Sequence, residues 1–370
     1  MSHLRQRTLR ILGTRGVPAT HGGFETFAER LALQLVERGW RVIVYCQCEG
    51  RAAMFEDRWR GIERVHIAVP VNGPTSTMLF DWRATVHAAR HRGVCLTLGY
   101  NTASFCALLR LKGVRNIINM DGVEWSRAKW GPVTKLWLWL NDWAGCWLGN
   151  HLVADHPEIE TRLAKRVGSK KITMIPYGAD RLAHVPDDAV RALGLVPGRY
   201  MTLVARPEPE NSILEIVSGF SQRLRGLNLA VLGNYHEAIE YHRAVKAAAG
   251  PEILFLGAIY DKSVMQALRF HCTAYVHGHQ VGGTNPSLVE ALGAGNAVFA
   301  HENRFNRWVA GAGAKYFDSS DSLALLLDRT TASELSEMRA ASRTRLAEGL
   351  GWQPVLESYE ALLEKLSADG

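Results

Sequence analysis

The sequence predicts an α/β protein with two doubly wound domains, each a mainly parallel sheet between layers of helices. Short aliphatic runs alternate with longer segments whose apolar residues recur at helical spacing, and this series occurs twice. It opens with a strand, a glycine-rich loop, a helix and a strand, as doubly wound domains do. A length of 370 residues also favours two domains over one.

The first predicted domain covers residues 1–176. Its first strand, RTLRILGT, leads through a loop into an amphipathic helix that ends near Gly39. The predicted strands are 7–14, 41–46, 65–69, 94–98, 116–120, 151–155 and 172–175. The segment PYGAD (176–180) interrupts the alternation, so we place the domain boundary there.

The second predicted domain covers residues 177–351 and repeats the alternation without repeating the sequence. Its predicted strands are 200–205, 227–233, 253–256, 274–277, 297–300 and 315–317, and its predicted helices include 213–225, 238–249 and 262–269. The last segment, 352–370, is a predicted long helix because its apolar residues share one face. Two such domains would leave a cleft between them, a common place for a ligand.

Composition and charge narrow the classes of function. Hydrophobic residues make up 47% and charged residues 21%, which suits a globular protein with a full core. The net charge of +7 favours an anionic partner, such as a nucleotide, a phosphate or an anionic membrane surface. The basic residues form no dense run and no basic-aromatic motif, so no nucleic acid is expected as a partner.

Cysteine spacing and hydropathy bear on metals, compartment and membranes. The six cysteines show neither paired C-x-x-C spacing nor a nearby pair of histidines, so no metal site is expected. The sequence shows no secretory signal, and we expect free thiols in a reducing cytoplasm. No run of 18 apolar residues occurs, so no spanning helix is predicted.

The stretch HQVGGTNPSLVEALGA (279–294) organises the second predicted domain. Gly282 and Gly283 lack a Cβ atom, so the backbone there can turn sharply and approach a ligand closely. Thr284 or Asn285 can cap the helix that follows, and the free N–H groups at its start suit a phosphate. The alternative is an ordinary surface loop before a capped helix.

Two charged residues in the second domain are candidate ligand contacts. Glu290 lies about one turn inside the helix, where its carboxylate could accept hydrogen bonds from sugar hydroxyls. Arg206 follows the first strand of this domain, and its guanidinium could grip a diphosphate with two N–H groups. Alternatively, Arg206 forms a surface ion pair with Glu208 or Glu210.

The loop RGVPATHGG after the first strand of the chain is a second candidate phosphate or sugar contact. Gly22 and Gly23 could bring backbone N–H groups to a ligand, and Arg15 and His21 are possible cationic donors. The alternative is that the glycines only make the turn.

Polar residues also follow later strands of the first domain. Tyr100 and Asn101 follow one strand, Asp121 and Glu124 the next, and Asp155 a third. Because ligands gather at the carboxyl ends of parallel strands, these residues are candidates for chemistry or for sugar hydroxyls. Asp121 could instead close an Asp-Gly turn, and Asp155 could cap the next helix.

Residues 135–148, KLWLWLNDWAGCWL, are rich in tryptophan. With Arg127, Lys129 and Lys135 nearby in the sequence, they could form a peripheral membrane patch, because Trp favours membrane interfaces. The alternative, which the spacing favours, is a helix packed in a core. The tryptophans that recur every four residues are Trp139, Trp143 and Trp147.

Four blocks, in this order and at these strand ends, resemble the glycosyltransferase family 4 enzymes. They are GTRGVPATHGGFETFAERLA, NMDGVEWSRAKWG, VARPEPEN and VGGTNPSLVEALGAGNAVFAHENRFNR. The resemblance covers nearly the whole chain and is greatest to the bacterial polysaccharide rhamnosyltransferases. It implies the GT-B fold: two Rossmann-like domains facing a central cleft, and a C-terminal helix (352–370) that crosses back to the N-terminal domain. It also implies retaining sugar transfer from a nucleotide-diphosphate donor without a bound metal.

The resemblance assigns roles to the candidate residues. Glu290 would bind the donor ribose, the backbone of 285–288 would hold the diphosphate, and Arg206 would neutralise its charge as it leaves. Asp121 would lie near the reacting sugar, which makes it a predicted catalytic residue together with Arg206 and Glu290. The predicted donor-binding residues are Arg15, Gly22, Gly23, Arg206, Thr284, Asn285, Ser287, Leu288 and Glu290. The predicted acceptor-side residues are Tyr100, Asn101, Glu124 and Asp155.

Two positions depart from the family pattern. The family usually has two glutamates eight positions apart, and the first of them falls on Gly282. The family often places a lysine five residues after the arginine, and this position is Asn211 here. One carboxylate for the donor sugar and one positive charge for the diphosphate are therefore absent, and we expect Arg15 to supply the missing charge.

The sequence therefore predicts a cytoplasmic glycosyltransferase, peripheral on the inner face of the cell membrane. By resemblance, its donor is dTDP-L-rhamnose and its acceptor is a saccharide linked to a polyprenyl diphosphate. Alternatives are a UDP- or GDP-sugar donor, an epimerase or phosphorylase with the same fold, and a degenerate binding subunit without activity. No cofactor and no metal are expected.

Overall fold

The computed structural model describes residues 7–20, 22–70 and 73–368, and its contacts divide the chain into two compact units. The first unit comprises the chain up to Ser126, Trp130–Pro176 and the chain from Gln353 onwards. The second unit comprises Tyr177–Trp352 together with Arg127–Lys129. These three residues lie in the sequence between two stretches of the first unit, an arrangement that no sequence pattern indicated.

The first unit is built on an eight-stranded sheet in the order β3-β4-β2-β1-β5-β6-β7-β8, in which only β3 and β4 pair antiparallel. The strands are β1 (Thr8–Leu12), β2 (Arg41–Glu49), β3 (Phe55–Trp59), β4 (Ile62–Val69), β5 (Val94–Leu98), β6 (Arg115–Asn119), β7 (His151–Ala154) and β8 (Ile172–Met174). The helices are α1 (Gly22–Glu37), α2 (Pro74–Ala88), α3 (Cys106–Leu111), α4 (Pro132–Leu148) and α5 (Pro157–Ala164). The sequence did not predict β3, because its FEDRW sequence is polar and mostly exposed.

The second unit is built on a six-stranded parallel sheet in the order β11-β10-β9-β12-β13-β14. Its strands are β9 (Tyr200–Val204), β10 (Asn228–Leu232), β11 (Ile253–Gly257), β12 (Ala274–His277), β13 (Ala297–His301) and β14 (Lys315–Phe317). Its helices are α6 (Asp188–Ala192), α7 (Ile213–Ser221), α8 (Glu240–Ala247), α9 (Lys262–Phe270), α10 (Pro286–Gly293), α11 (Arg304–Ala310), α12 (Ser320–Arg329) and α13 (Ala332–Arg345), and the final helix of the chain is α14 (Trp352–Ala368).

Each sheet has a point where the strand order reverses. In the first sheet β1 lies between β2 and β5, and in the second sheet β9 lies between β10 and β12. Neighbouring strands that lead into loops on opposite sides open a crevice at their carboxyl ends, where doubly wound proteins bind ligands. In the second unit, β9 leads to Arg206, and β12 leads to the loop that contains Gly282 and Gly283, which we call the glycine stretch.

The four central strands of the second sheet, β10, β9, β12 and β13, are buried on both faces, as expected for a parallel sheet between helices. Leu203, Val276 and Phe299 form one cluster with the apolar side chains of α7. Val298 and Ala300 point into a separate cluster with the apolar side chains of α10. The core therefore fixes α10 on the face of the sheet, with its N-terminus near the carboxyl ends of the strands.

The last helix packs on the first unit and positions the end of β6. The Tyr359 ring is buried and lies 4.6 Å from the Phe27 ring, centroid to centroid. Its hydroxyl accepts a hydrogen bond from Asn119 Nδ2 at 2.8 Å. The Oδ1 atom of Asn119 in turn accepts the backbone N–H of Asp121 at 2.9 Å. The turn that carries Asp121 is thus held from α14.

Only one face of the tryptophan-rich helix packs in a core, so the alternative that the spacing favoured holds for that face alone. In α4, Trp139 is 41% exposed and Trp147 is 60% exposed. The buried face contains Asp142, which pairs with Arg162 at 2.5 Å and Arg166 at 2.7 Å. This buried ionic group orients the helix and turns the tryptophan face outward. Arg127 and Lys129 do not join that face, because they belong to the second unit and pair with acids there.

Candidate functional site

Two loops at the carboxyl edge of the second sheet pack against each other, one after β9 and one after β12. Ser212 Oγ donates to the Gly278 carbonyl at 2.9 Å, and the Gln280 N–H donates to the Glu210 carbonyl at 2.9 Å. A Cβ atom on Gly278 would lie 1.9 Å from the Asn211 carbonyl oxygen. Only glycine therefore allows the two loops to approach this closely.

We expect Gly278→Ala to lower the free energy of unfolding by about 2–3 kcal/mol, because the added methyl group must push the two backbones apart. The urea midpoint measures this effect. Gly168→Ala is the matched control, because a Cβ atom there meets nothing within 4 Å. Equal midpoints for Gly278→Ala, Gly168→Ala and the unsubstituted protein would contradict the packing described.

The glycine stretch ends in a capped helix. Asn285 is the cap, and its side chain accepts the Ser287 N–H at 3.0 Å, while Thr284 is buried beside it. Gly282 has a φ of +138°, a conformation that side chains other than glycine rarely adopt. Only His279 comes within 4 Å of its would-be Cβ position. Backbone conformation, rather than lack of space, disfavours a glutamate at this position.

Glu290 and Ser287 are held by a buried arginine that sequence reasoning missed. Arg269, at the end of α9, pairs with Glu290 Oε2 at 2.7 Å and donates to Ser287 Oγ at 3.1 Å. The Tyr275 hydroxyl lies 2.7 Å from the same Ser287 oxygen, and burial raises the pKa of Tyr275 to about 12. The Ser287 hydroxyl is thus used inside the unit, and its backbone N–H is bonded to the cap. The Glu290 side chain remains half-exposed.

Arg206 presents an exposed guanidinium at the end of β9. The proposed alternative, an ion pair with Glu208 or Glu210, is wrong, because Glu208 pairs with Lys129 at 3.5 Å and Glu210 with Arg127 at 3.1 Å. Among the described residues, Arg206 forms no ion pair. Its carbonyl oxygen accepts Asn211 Nδ2 at 2.7 Å, which closes the loop. Asn211 therefore stabilises the turn that presents Arg206.

His279 lies at the centre of this edge. Burial lowers its pKa well below the ordinary value, and His277, Arg127, Arg206 and Lys129 lower it further by charge. The pKa of His277 is itself lowered to about 3, mainly by burial. Both imidazoles are therefore neutral at physiological pH. This edge thus offers positive charge, an exposed arginine and a helix start, which together suit a phosphate.

The predicted residues of the first unit occupy different environments. Asp121 is half-buried with a φ of 46°, a strained conformation outside glycine. Tyr100 is fully buried, and its hydroxyl accepts the Glu124 N–H at 2.7 Å, so its ring supports the loop. Glu124 Oε1 accepts Trp130 Nε1 at 3.0 Å, and the Asn101 side chain is exposed.

Asp155 is buried at the end of β7, and it is not the cap of α5. That cap is His156, whose Nδ1 accepts the Glu158 N–H at 3.1 Å. The sequence alternative that assigned the cap to Asp155 is therefore wrong by one residue. Histidine is an uncommon cap, so the pattern gave no signal for it.

The loop after β1 is held by glutamates of α1. Gly22 and Gly23 form the first turn of α1 and do not precede the helix as the sequence suggested. The Arg15 side chain is exposed, and its backbone N–H donates to the buried Glu25 carboxylate at 3.0 Å. His21 lies outside the described residues.

Asp81 lies on helix α2, which the sequence did not predict, and its protonation makes the stability of the fold depend on pH. It accepts Thr102 Oγ1 at 2.8 Å, and burial raises its pKa to about 6. Because the folded pKa is raised, folding favours the protonated form, and this advantage is lost as pH rises from about 4 to above 6. We expect Asp81→Asn to raise the free energy of unfolding by about 2 kcal/mol at pH 8 and to change it little at pH 4. Urea unfolding at pH 4 and pH 8 measures the effect. The same difference in free energy of unfolding between Asp81→Asn and the unsubstituted protein at both pH values would contradict this expectation.

The described residues form neither a metal-ligand cluster nor a membrane-spanning helix. Across residues 7–20, 22–70 and 73–368, no three His, Cys, Asp or Glu side chains lie together so that they could hold a metal ion. Metal independence stays a prediction. Over the same residues, no helix has the length and hydropathy that crossing a membrane requires.

Comparisons with known proteins address the fold. Residues 6–180 match the protein family described as a domain of unknown function, DUF1972. No curated protein matches the sequence. The chain is similar to sucrose-phosphate synthase from Thermosynechococcus elongatus, with a TM-score of 0.82 at 15% identity over 99% of this chain and 100% of that chain.

Two further similar structures contain nucleotides. The HepE protein of Anabaena in complex with UDP matches with a TM-score of 0.72 at 13% identity, over 98% of this chain and 100% of that one. An E. coli trehalose-6-phosphate protein bound with UDP-2-fluoro glucose matches with a TM-score of 0.72 at 10% identity, over 97% and 99%. The chain has the GT-B fold. The predicted fold class is thereby confirmed, whereas membership of family 4 and of its rhamnosyltransferase branch stays a prediction.

Proposed function

We propose that this protein is a retaining glycosyltransferase that takes its sugar from a nucleoside-diphosphate donor. One observation carries the proposal: at the strand-order reversal of the second sheet, the chain brings together Arg206, the start of α10 and the half-exposed Glu290. The fold supports it, because two proteins with the same fold were solved with UDP or a UDP-sugar.

The donor diphosphate binds at the start of α10 and against Arg206. The positive end of the helix dipole and a guanidinium are complementary to its charge, which grows on the leaving phosphate as the sugar departs. Glu290 accepts hydrogen bonds from the ribose hydroxyls, and Arg269 holds its carboxylate in place. Arg127 and Lys129 lie in the same unit as Arg206, but their charges are compensated by Glu210 and Glu208. We therefore propose Arg15 of the first unit as the source of the positive charge that Asn211 cannot supply.

The transfer follows a front-face displacement. The bond between the sugar C1 and the diphosphate oxygen breaks, and a bond from C1 to the acceptor oxygen forms on the same face. The departing phosphate oxygen takes the acceptor proton, so no protein nucleophile is required. Asp121 orients groups near the reacting sugar, and its strained turn is fixed by Asn119 and α14.

The donor is dTDP-L-rhamnose and the acceptor is a saccharide on a polyprenyl diphosphate, at the inner face of the membrane. The sequence blocks that resemble polysaccharide rhamnosyltransferases support this assignment. No metal takes part, because Arg206 and the helix start neutralise the leaving group. Gly282 leaves the hydroxyls of the donor sugar without the carboxylate of the general family pattern, so the donor sugar does not follow from that pattern.

A donor screen tests the proposal. The purified protein is mixed with a short lipid-linked GlcNAc-diphosphate acceptor and one of four donors: dTDP-L-rhamnose, UDP-glucose, UDP-N-acetylglucosamine or GDP-mannose. Mass spectrometry then measures the mass of each product. We expect one deoxyhexose to be added from the dTDP donor alone. Addition of a hexose or an N-acetylhexosamine would keep the reaction class and overturn the rhamnose assignment.

A second candidate is a binding subunit without activity, and Gly282 favours it because a catalytic-site carboxylate of the family is absent there. It predicts neither transfer nor donor hydrolysis with any of the four donors. Binding of a donor without release of free nucleotide, across several acceptors, would favour this second candidate over the transferase.

A further inference from the structure

The exposed face of α4 concentrates apolar surface. Of the fourteen large apolar side chains that are exposed in the described part of the chain, five lie on this one helix. They are Val133, Leu136, Trp139, Leu140 and Trp147. At 100° per residue they fall within an arc of about 120°, together with the half-buried Trp143. We call this set the α4 face.

The α4 face is rigid. The ring centroids of Trp139 and Trp143 lie 6.1 Å apart, and those of Trp143 and Trp147 lie 5.4 Å apart, so the three indoles pack along the helix. The Arg166 guanidinium lies 4.3 Å from the Trp143 ring centroid. Asp142 anchors the opposite side of the helix. The outward position of the indoles is thus built into the first unit, and it needs no change of fold.

The solvent-accessible charges on α4 and at its C-terminal end are positive, while the nearby Glu124 is half-buried and accepts a hydrogen bond from Trp130 Nε1. Lys135 lies on the same helix, one turn before Trp139. Lys171 Nζ donates to the Cys146 carbonyl at 2.7 Å at the other end, and Arg110 lies close enough to lower the pKa of Lys171 further after burial has done so. The only acidic residue of α4 is the fully buried Asp142, and residues 103–115, which include the neighbouring α3, contain none.

We propose that the α4 face docks on an anionic lipid bilayer and lies in the plane of its interface. Indole rings suit the boundary between headgroups and acyl chains, where one edge is apolar and the other is wet. The surrounding lysines and arginines match the negative surface charge, which argues for a membrane over a second copy of this basic chain. The inference rests on the proposed function in one respect: a lipid-linked acceptor would be presented at that surface.

Vesicle co-sedimentation tests the proposal with the full chain and without donor or acceptor. We expect binding to vesicles of phosphatidylglycerol and phosphatidylcholine, weaker binding to phosphatidylcholine alone, and loss of binding with rising salt. The double substitution Trp139→Ala with Trp147→Ala should weaken partitioning at least about tenfold, because both indoles leave the interface. Circular dichroism and the urea midpoint establish that the variant is folded.

The matched control is Leu224→Ala with Tyr260→Ala, which removes two exposed apolar side chains of the second unit, 71% and 69% exposed. It should bind vesicles as the unsubstituted protein does. Two results would each overturn the proposal: no binding to anionic vesicles, or an equal loss of binding in the control. If vesicle binding is absent, an α4-face dimer that the double substitution separates would identify a second copy of the chain as the occupant instead. Vesicle binding as expected without any sugar transfer would support the docking face and count against the proposed function alone.

Discussion

Replacing Arg206 by alanine is expected to lower kcat/KM for the nucleotide sugar by about 10²–10³-fold, as loss of a single leaving-group contact typically does. The side chain is exposed, and among the described residues it forms no ion pair, so nothing in the fold depends on it. The free energy of unfolding should therefore change by less than about 0.5 kcal/mol. Steady-state kinetics and urea unfolding measure the two effects separately.

Arg199→Ala is the control for Arg206→Ala, because Arg199 is an exposed arginine that lies just before the amino end of the same strand, β9. Its removal changes the net charge by the same amount, but at the amino ends of the strands and not at the carboxyl ends, where the proposed site lies. Equal losses of activity in the two variants would show that overall charge, and not the position of Arg206, is what matters.

Replacing Glu290 by glutamine is expected to lower kcat/KM by about 10²-fold, because the ribose hydroxyls lose a charged acceptor. It should also lower the free energy of unfolding by about 1–2 kcal/mol, since the buried Arg269 loses its carboxylate partner and Glu290 itself is only half-buried. A double substitution with Arg269→Met should restore stability without restoring activity.

Glu302→Gln provides the comparison for Glu290→Gln. Glu302 pairs with Arg307 at 2.5 Å, and its side chain is about as exposed as that of Glu290, but Arg307 is exposed whereas Arg269 is buried. Exposed pairs contribute little, so stability should fall by less than about 0.5 kcal/mol and activity should be unchanged. If Glu290→Gln behaved like Glu302→Gln, the role assigned to the Arg269–Glu290 pair would be wrong.

The strands and the glycine stretch could be predicted because residues close together in the sequence determine them. Aliphatic runs set the buried strands, and the order Asn285–Pro286 before an apolar stripe sets the start of α10. Arg269 could not be predicted in the same way, because its partners Ser287 and Glu290 are 18 and 21 positions away and only the fold brings them together. The same holds for Glu25 and Arg15, since a helix glutamate is usually solvent-exposed.

The tryptophan-rich helix shows where periodicity alone is insufficient. A 120° apolar stripe fits a buried core or a membrane interface equally well, because both need the same spacing. The decision lies on the opposite side of α4, where Asp142 is enclosed by Arg162 of α5 and by Arg166, which follows the end of α5. A buried charge pairs with cations from another helix, and no local pattern in the sequence indicates which helix that is.

The most direct test of the account is a calorimetric titration of the protein with dTDP, UDP and GDP. The carboxyl edge of the second sheet should bind a nucleoside diphosphate, and dTDP should bind most tightly. Arg206→Ala and Glu290→Gln should each weaken that binding by about tenfold or more, which corresponds to about 1.4 kcal/mol, whereas Arg199→Ala should not. Absence of binding to all three nucleotides, or binding that neither substitution weakens, would contradict the account.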